Sequence, residues 1–209
     1  MTDFAALVEG YRRFRTQGWS RQRMRWAELA ERQSPKVMVI ACSDSRVDPA
    51  TIFDTSPGEA FVVRNVANLV PPFELDGARH GVSAALEFAV MQLEVPEIVV
   101  LGHGGCSGIA AALTKRFDGC APGEGGFIDR WIDLLAEARD AVLAEHGDRA
   151  THVLEREGIK VSLANLRTFP RVREREADGR LRLHGALFSI DDGNLHLLDE
   201  ATGQFSPAP

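Results

Sequence analysis

Short apolar runs alternate with amphipathic stretches along the middle of this chain. The runs 37–41, 60–66 and 98–101 are rich in β-branched residues and lack the strict polar alternation of half-exposed strands. Between the last two runs, the apolar positions of segment 78–93 recur at helical spacing. Strands of this kind, joined by helices, are typical of parallel sheets with covered faces. The pattern predicts an α/β fold with a mainly parallel central sheet flanked by helices.

Further helices are predicted on both sides of this centre. The N-terminal residues carry apolar side chains at helical spacing and are expected to form a helical arm over residues 1–33. Later helices are expected at 107–117, 128–145 and 151–169. From Arg171 the chain alternates in strand fashion, with edge strands expected near 182–190 and 195–198. Without an internal repeat or linker, a single domain spanning 1–209 is expected.

The composition is that of a soluble globular protein. Hydrophobic residues make up 44% and charged residues 26% of the chain, close to globular averages. No run reaches the roughly 18 apolar residues that a membrane helix needs. The first ten residues include Asp3 and Glu9 and lack the basic-then-apolar order of a secretory signal. We therefore expect a cytoplasmic protein without a membrane partner.

The charge argues against a general nucleic-acid binder. With 24 basic and 30 acidic residues the formal net charge is -6, whereas phosphate binding requires a dominant basic surface. The segment 11–36 is nevertheless basic, with seven arginines and one lysine against two glutamates. Such a segment can meet a membrane surface or an acidic partner. A solvated helix face, or an arm packed on another subunit, is the simpler interpretation.

The chain has three cysteines, Cys42, Cys106 and Cys120. In a reducing cytoplasm an odd number of cysteines does not form a disulfide framework, so they are core thiols, redox groups, nucleophiles or metal ligands. Two of them follow predicted strands, in the motifs Cys-Ser-Asp-Ser-Arg (42–46) and His-Gly-Gly-Cys (103–106). Cys120 lies in a glycine-rich loop without a partner motif, and we assign it no function.

The two strand-end motifs are predicted to converge. Ligands of an open parallel sheet gather beyond the carboxyl ends of its strands, which would bring Cys42 close to His103 and Cys106. Two glycines permit the tight turn that carries Cys106 to the first turn of the next helix, where its thiolate is stabilised. Two thiolates and a histidine are a recognised ligand set for catalytic zinc. For either motif alone, an ordinary buried thiol or turn residue is the alternative.

Two phosphate-binding interpretations fit less well. A phosphatase loop separates its cysteine from its arginine by more residues than lie between Cys42 and Arg46. The glycines around His103 are similar to a dinucleotide loop, but Ser107 stands where that motif has its third glycine.

Together the motifs resemble a known enzyme family. The segments 42–46 and 103–106, with Pro-Gly-Glu-Ala-Phe-Val-Val-Arg-Asn-Val-Ala-Asn (57–68) between them, closely resemble the β-class carbonic anhydrases. The resemblance extends from about residue 4 to residue 198. It implies one zinc ion per chain, held by Cys42, His103 and Cys106. It also implies reversible hydration of carbon dioxide to bicarbonate and a proton, by attack of zinc-bound hydroxide.

The resemblance assigns roles to two residues after the first cysteine. Asp44 would accept a hydrogen bond from the hydroxide and orient it, while Arg46 would pair with Asp44 and keep it off the metal. A salt bridge without a catalytic part is the alternative. Because two thiolates cancel the charge of the zinc, we expect a less acidified water and a more alkaline activity profile than with histidine ligands.

The resemblance also favours a subtype. In some members, the aspartate at the position of Asp44 moves onto the metal when bicarbonate binds to a site made of a tryptophan, an arginine and a tyrosine near the C-terminus. This chain has Val39 at the tryptophan position and Arg64 at the arginine position, and its one tyrosine is Tyr11. The incomplete site implies the plant-like, constitutively open subtype.

Four positions match substrate-binding residues of the family. Gln33 falls where plant-type enzymes carry a glutamine that donates a hydrogen bond to substrate, and Phe61, Val66 and Phe88 match pocket-wall positions. As alternatives, Gln33 is a surface residue at a helix end, and the other three are ordinary core residues.

The predicted function is that of a zinc lyase, a carbonate dehydratase acting on carbon dioxide and bicarbonate. Hydrolysis of carbonyl sulfide or carbon disulfide at the same site is an alternative, since relatives with these motifs perform it. A non-catalytic zinc-stabilised interaction protein is less favoured, because structural zinc sites are usually closed by a fourth protein ligand. The family resemblance further implies a homodimer or homotetramer, with the N-terminal helices clasping the neighbouring subunit.

Overall fold

The chain divides into two compact units, Met1–Ser34 and Pro35–Pro209. The computed structural model describes residues 2–76 and 79–209. The first unit contains two α-helices joined through a π-helical turn: α1 (Phe4–Arg13), Phe14–Trp19 and α2 (Arg23–Glu31). It spans the segment expected to form a helical arm, and the single-domain organisation of the whole chain stays a prediction.

The second unit is built on a sheet that has six strands within the described residues. The strands are β1 (Val37–Cys42), β2 (Ala60–Asn65), β3 (Glu97–His103), β4 (Arg182–Phe188), β5 (Leu195–Asp199) and β6 (Gln204–Pro207). Their order is β2-β1-β3-β4-β5-β6, with the first four parallel and the last two added antiparallel. The predicted α/β fold with a mainly parallel sheet is confirmed.

Helices and short helical turns connect the strands. The α-helices are α3 (Pro49–Ile52), α4 (Gly81–Glu87), α5 (Ser107–Leu113), α6 (Gly126–Ile132), α7 (Ala136–His146), α8 (Ala150–Leu166) and α9 (Pro170–Ala177). A π-helical turn, Phe88–Gln92, continues α4, and 3-10 turns occupy Val66–Asn68, Asp133–Leu135 and Gly147–Arg149. The helix predicted over 78–93 thus begins at Gly81, and its first predicted residue, Ala78, lies outside the described residues.

One expectation about the C-terminal region is wrong. The segment after Arg171 was expected to alternate as a strand, but it forms helix α9, with Pro170 at its first position. Proline suits that position because its fixed φ matches a helix and the first helical N–H needs no partner. An ion pair between Arg171 and Glu174, three residues apart, supports the same turn.

Helix α8 lies close against the sheet and carries the packing that positions the site. Its residues Ile159, Leu163 and Leu166 are buried in the main core cluster. The approach is possible because β3 and β4 carry Gly102 and Gly185, where a Cβ would lie 2.8 Å and 2.9 Å from side-chain atoms of Ile159. Among the described residues, no helix combines the length and apolarity that crossing a membrane requires.

Candidate metal centre

The carboxyl ends of two neighbouring strands bring the predicted ligands together. Cys42 is the last residue of β1 and His103 the last residue of β3, and these strands pair in parallel. The chain then turns through Gly105, whose φ of 65° is the left-handed conformation that glycine adopts without strain. Cys106 follows as the N-cap residue of α5. The ligand atoms of Cys42, His103 and Cys106 all lie within 4.8 Å of one another, as their placement at strand ends predicts.

The geometry of this group fits a tetrahedral metal. The two sulfurs are 3.8 Å apart, and two thiolates that each bind zinc at about 2.3 Å in a tetrahedron stand about 3.8 Å apart. The Nδ1 atom of His103 lies 3.0 Å from the carbonyl oxygen of Gly104. Its Nε2 atom is buried and has no hydrogen-bond partner within the part of the chain that the structure describes. An unsatisfied buried nitrogen beside two sulfurs is the chemistry expected of a metal ligand.

The neighbouring thiols of Cys42 and Cys106 affect each other's pKa. The hydrogen bond from Cys106 lowers the pKa of Cys42 to about 4 against the opposing effect of burial. The same bond, with burial, raises the pKa of Cys106. Burial favours the neutral form of His103, but the neighbouring Cys42 sulfur and the Gly104 carbonyl outweigh it and raise the pKa of the imidazole. The pair of thiols therefore favours one thiolate, the form in which a cysteine binds metal.

Asp44 and Arg46 form a fixed pair beside the ligands. Arg46 donates from Nε to Oδ1 of Asp44 at 2.9 Å and from Nη2 to Oδ2 at 2.7 Å. Nη2 also donates to the carbonyl oxygen of Gly105 at 2.9 Å, which joins the two ligand loops. These contacts hold the pKa of Asp44 well below its usual range, chiefly through the side-chain hydrogen bonds from Arg46. Oδ2 of Asp44 lies 3.9 Å from Nε2 of His103, next to the ligand group.

Arg64 holds the loop that follows Cys42. Its guanidinium donates hydrogen bonds to three backbone carbonyls of this loop: from Nε to Cys42 O at 2.9 Å, and from Nη2 to Asp44 O at 2.6 Å and to Val47 O at 3.1 Å. Nη1 also donates to Oδ2 of Asp48 at 3.2 Å. A planar guanidinium is suited to this task because its donors have a fixed geometry. The loop that carries Asp44 and Arg46 is therefore tied to strand β2.

A cleft of about 560 Å³ opens at the group, and one of the four predicted substrate-binding residues lines it. Its lining comprises Cys42, Ser43, Asp44, Ser45, Arg46, Val66, Gly105, Ser107 and Gly108. Phe61 and Phe88 instead stack on each other, with ring centroids 6.0 Å apart. Gln33 belongs to the first unit and is exposed. The substrate-binding roles of Gln33, Phe61, Val66 and Phe88 stay predictions.

Three sets of long-range contacts at the site escaped the sequence patterns. The first is the set of loop contacts of Arg64. The others are a hydrogen bond of 2.8 Å from Trp131 Nε1 to Val66 O and one of 3.2 Å from the backbone N–H of Cys106 to Glu155 Oε1. Glu155 did carry a signal, because it lies on the same helical stripe as Ile159, Ser162 and Leu166, all of which are buried. A carboxylate on a buried stripe calls for a specific partner.

Comparison with known proteins identifies the family. The family model described as carbonic anhydrase matches residues 37–195. A protein named beta carbonic anhydrase 3 from Arabidopsis thaliana is 38% identical over 197 residues, which cover 91% of this chain and 75% of that protein. The chain belongs to the β-carbonic anhydrases. As a member of this family it is an enzyme that hydrates carbon dioxide, and its Cys42, His103 and Cys106 are consistent with the zinc site of a β-carbonic anhydrase.

Solved structures agree with this membership. The β-carbonic anhydrase CcaA is 31% identical to this chain, with a TM-score of 0.88, and the match covers 97% of this chain and 91% of that one. One of two tetrameric β-carbonic anhydrases from Sordaria macrospora is 27% identical, with a TM-score of 0.78, and the match covers 94% of this chain and 96% of that one. The likeness extends over nearly the whole carbonic anhydrase chain.

Proposed function

We propose that this β-carbonic anhydrase hydrates carbon dioxide at a zinc ion held by Cys42, His103 and Cys106. The observation that carries the assignment is the buried Nε2 of His103, which lies beside the two sulfurs and has no hydrogen-bond partner among the described residues. When bound, zinc supplies a nucleophile by lowering the pKa of a water, and it stabilises negative charge on the substrate. Three protein ligands leave the fourth position open for this chemistry.

Asp44 is proposed to orient the nucleophile. Its low pKa keeps the carboxylate ionised, so that it acts as a hydrogen-bond acceptor. Arg46 holds both of its oxygens and is itself bonded to Gly105, which prevents the carboxylate from turning into the open position. The arginine thus keeps Asp44 beside the site while the fourth position stays accessible to substrate.

Stopped-flow measurement of carbon dioxide hydration tests the assignment. We expect the zinc-loaded enzyme to accelerate hydration, with a rate that rises from neutral to alkaline pH, and the Cys42→Ser variant to lose both zinc and activity. A full complement of zinc and an unchanged rate in Cys42→Ser would refute the ligand assignment. A pH profile already flat at neutrality would contradict the expected effect of two thiolates. Parallel assays with carbonyl sulfide and carbon disulfide distinguish the alternative substrates.

We further propose that the enzyme is constitutively open, as in the plant-like subtype. Arg64, the residue at the arginine position of the incomplete bicarbonate site, uses Nε, Nη1 and Nη2 to hold the Cys42 loop. At the tryptophan position, Val39 is buried in the sheet and offers no hydrogen-bond donor. These features support a fixed loop without a bicarbonate switch. Initial rates measured against added bicarbonate should show simple product inhibition, and cooperative inactivation would contradict the proposal.

A homodimer or homotetramer is proposed to complete the pocket. The name of the Sordaria macrospora structures describes tetramers. Phe61 and Phe88 do not line the cleft of a single chain, and Phe88 is 45% exposed. We propose that these residues reach the pocket of a neighbouring subunit and that the basic segment 11–36 packs against that subunit.

Light scattering should give the mass of a dimer or tetramer, and a fully active monomer would contradict this arrangement. The cytoplasmic location stays a prediction.

A further inference from the structure

Glu155 is a buried carboxylate for which the proposed reaction has no use. It lies on α8, and its side chain is 1% exposed. Glutamate is seldom buried to this extent unless a partner satisfies it. Its Oε1 atom accepts a hydrogen bond of 3.2 Å from the backbone N–H of Cys106, and Oε2 lies 3.4 Å from Nδ1 of the exposed His152. The carboxylate is therefore directed at the backbone of a proposed zinc ligand.

The contact caps helix α5 from another element. Cys106 is the N-cap residue, and its own side chain makes no capping hydrogen bond to the turn that follows. In a capping box, a glutamate or glutamine three residues after the N-cap bonds back to the N–H of the N-cap residue. That position holds the apolar Ile109 here, so the sequence of α5 does not supply the acceptor. Glu155, on another helix, takes its place.

The turn between His103 and helix α5 is held by hydrogen bonds at three successive residues, 104–106. The N–H of Gly104 donates to Phe188 O on β4 at 2.9 Å. The carbonyl of Gly105 accepts from Arg46 at 2.9 Å, and the N–H of Cys106 donates to Glu155. Each contact comes from a different part of the chain, and the one at Cys106 acts on a proposed ligand residue itself. A ligand fixed in this way needs little reorganisation when the metal binds.

We infer that Glu155 is a positioning residue that fixes Cys106 through its backbone, so that the sulfur faces Cys42 and His103 before zinc binds. The inference rests on the proposed zinc site. In this role Glu155 acts because its side chain is long enough to place an acceptor oxygen at the N–H of Cys106, and its negative charge is not required. Two conservative variants separate these properties, since Glu155→Gln keeps the reach without the charge and Glu155→Asp keeps the charge with a shorter reach.

Zinc affinity, measured by competition with a chromophoric chelator in the absence of substrate, tests the inference. Loss of a residue that orients a metal ligand typically lowers metal affinity about 10–100-fold. We expect a loss of this size in Glu155→Ala and Glu155→Asp, with Glu155→Gln close to the unmodified enzyme. Glu157→Ala is the matched control, because Glu157 is on the same helix and pairs with Lys160. Its zinc affinity should not change.

A second measurement separates positioning from general packing. Thermal unfolding of the zinc-free variants reports the stability that α8 and α5 provide without metal. The inference is overturned if Glu155→Ala and Glu155→Asp bind zinc as tightly as Glu157→Ala, or if Glu155→Gln is as weak as Glu155→Ala. If Glu155→Ala does not fold, the comparison of Glu155→Gln with Glu155→Asp decides. An unmodified enzyme that fails to bind zinc would refute the proposed site itself, which the variants alone cannot do.

Discussion

The two ends of strand β3 carry polar clusters of opposite kinds. At its first residue, Glu97 bonds Nε of Arg182 at 2.9 Å and Nε2 of His184 at 2.6 Å, in a partly exposed cluster. At its last residue, His103 is buried, and its Nε2 lacks a partner within the described ranges. The strand is seven residues long, so its two ends lie roughly 20 Å apart. The polar groups of the first cluster bond to one another, whereas the second cluster leaves a buried nitrogen unpaired beside two sulfurs, and we take this difference to mark the functional end.

The two histidines provide the strongest contrast. We expect His103→Ala to lose zinc and to hydrate carbon dioxide no faster than buffer, because one of three metal ligands is removed. His184→Ala should keep its zinc and its activity, since His184 contacts Glu97 at the other end of the strand. Zinc analysis by atomic absorption and stopped-flow assays check both variants. Equal activity in the two would remove the distinction between the ends.

Two carboxylates paired with arginine give the next contrast. Asp44→Asn should retain zinc but lower kcat/KM about 10–100-fold, because the amide cannot reproduce the acceptor geometry that Arg46 fixes beside the metal. Glu97→Gln, whose partner is Arg182, should leave kcat/KM unchanged. The comparison fails if both substitutions affect the rate equally.

Close packing at the functional end predicts a third effect. A Cβ at Gly108 would lie 2.7 Å from Cγ1 of Val66 and 3.1 Å from Cβ of Ala67. We expect Gly108→Ala to lower the free energy of unfolding by about 1–3 kcal/mol through overpacking. Gly81→Ala, with no atom within 4 Å of the new Cβ, is the control and should cause no such loss. Urea unfolding measures the stability of both variants. If Gly108→Ala is as stable as Gly81→Ala, the side chains of Val66 and Ala67 move aside without cost, and the prediction is wrong.

The smallest predicted effect is the pH dependence of the Glu97 cluster. Burial tends to raise the pKa of Glu97, but hydrogen bonds from Arg182 and His184 outweigh it and lower the pKa below the ordinary 4.5. A lowered carboxyl pKa stabilises the fold above the unfolded-state value, and this stability is lost as the pH falls through the folded-state value. The difference in unfolding free energy between the enzyme and Glu97→Gln should be about 0.2–1 kcal/mol at neutral pH and shrink in acid. A difference independent of pH would contradict this account.

The sequence predicted the parts of the fold that depend on local patterns. Strands β1 and β3 were visible as continuous apolar runs, and the meeting of Cys42 with His103 and Cys106 followed from the rule that parallel strands share an edge. Helix α9 was mistaken for a strand because one of its buried positions is the polar Arg175. The guanidinium of Arg175 donates from Nη1 to Val90 O and from Nη2 to Glu94 O, and both acceptors are distant in sequence.

The supporting contacts of the site could not be predicted for the same reason. The helical stripe of α8 marks Glu155 as a buried carboxylate, but Arg64 and Glu155 act on backbone atoms of other elements, and those partners leave no mark in the sequence. Phe61 and Phe88 were predicted as pocket residues from the family resemblance, but in one chain they stack away from the cleft. Their proposed place depends on a second subunit.

A crystal structure of the zinc-loaded enzyme at neutral pH, with zinc located by anomalous scattering, shows whether Cys42, His103 and Cys106 hold the metal. We expect the sulfurs of Cys42 and Cys106 at about 2.3 Å and Nε2 of His103 at about 2.0–2.1 Å from the zinc. The fourth ligand should be a non-protein group, with Asp44 still held by Arg46. Zinc bound elsewhere, or the carboxylate of Asp44 in the fourth position, would contradict this expectation.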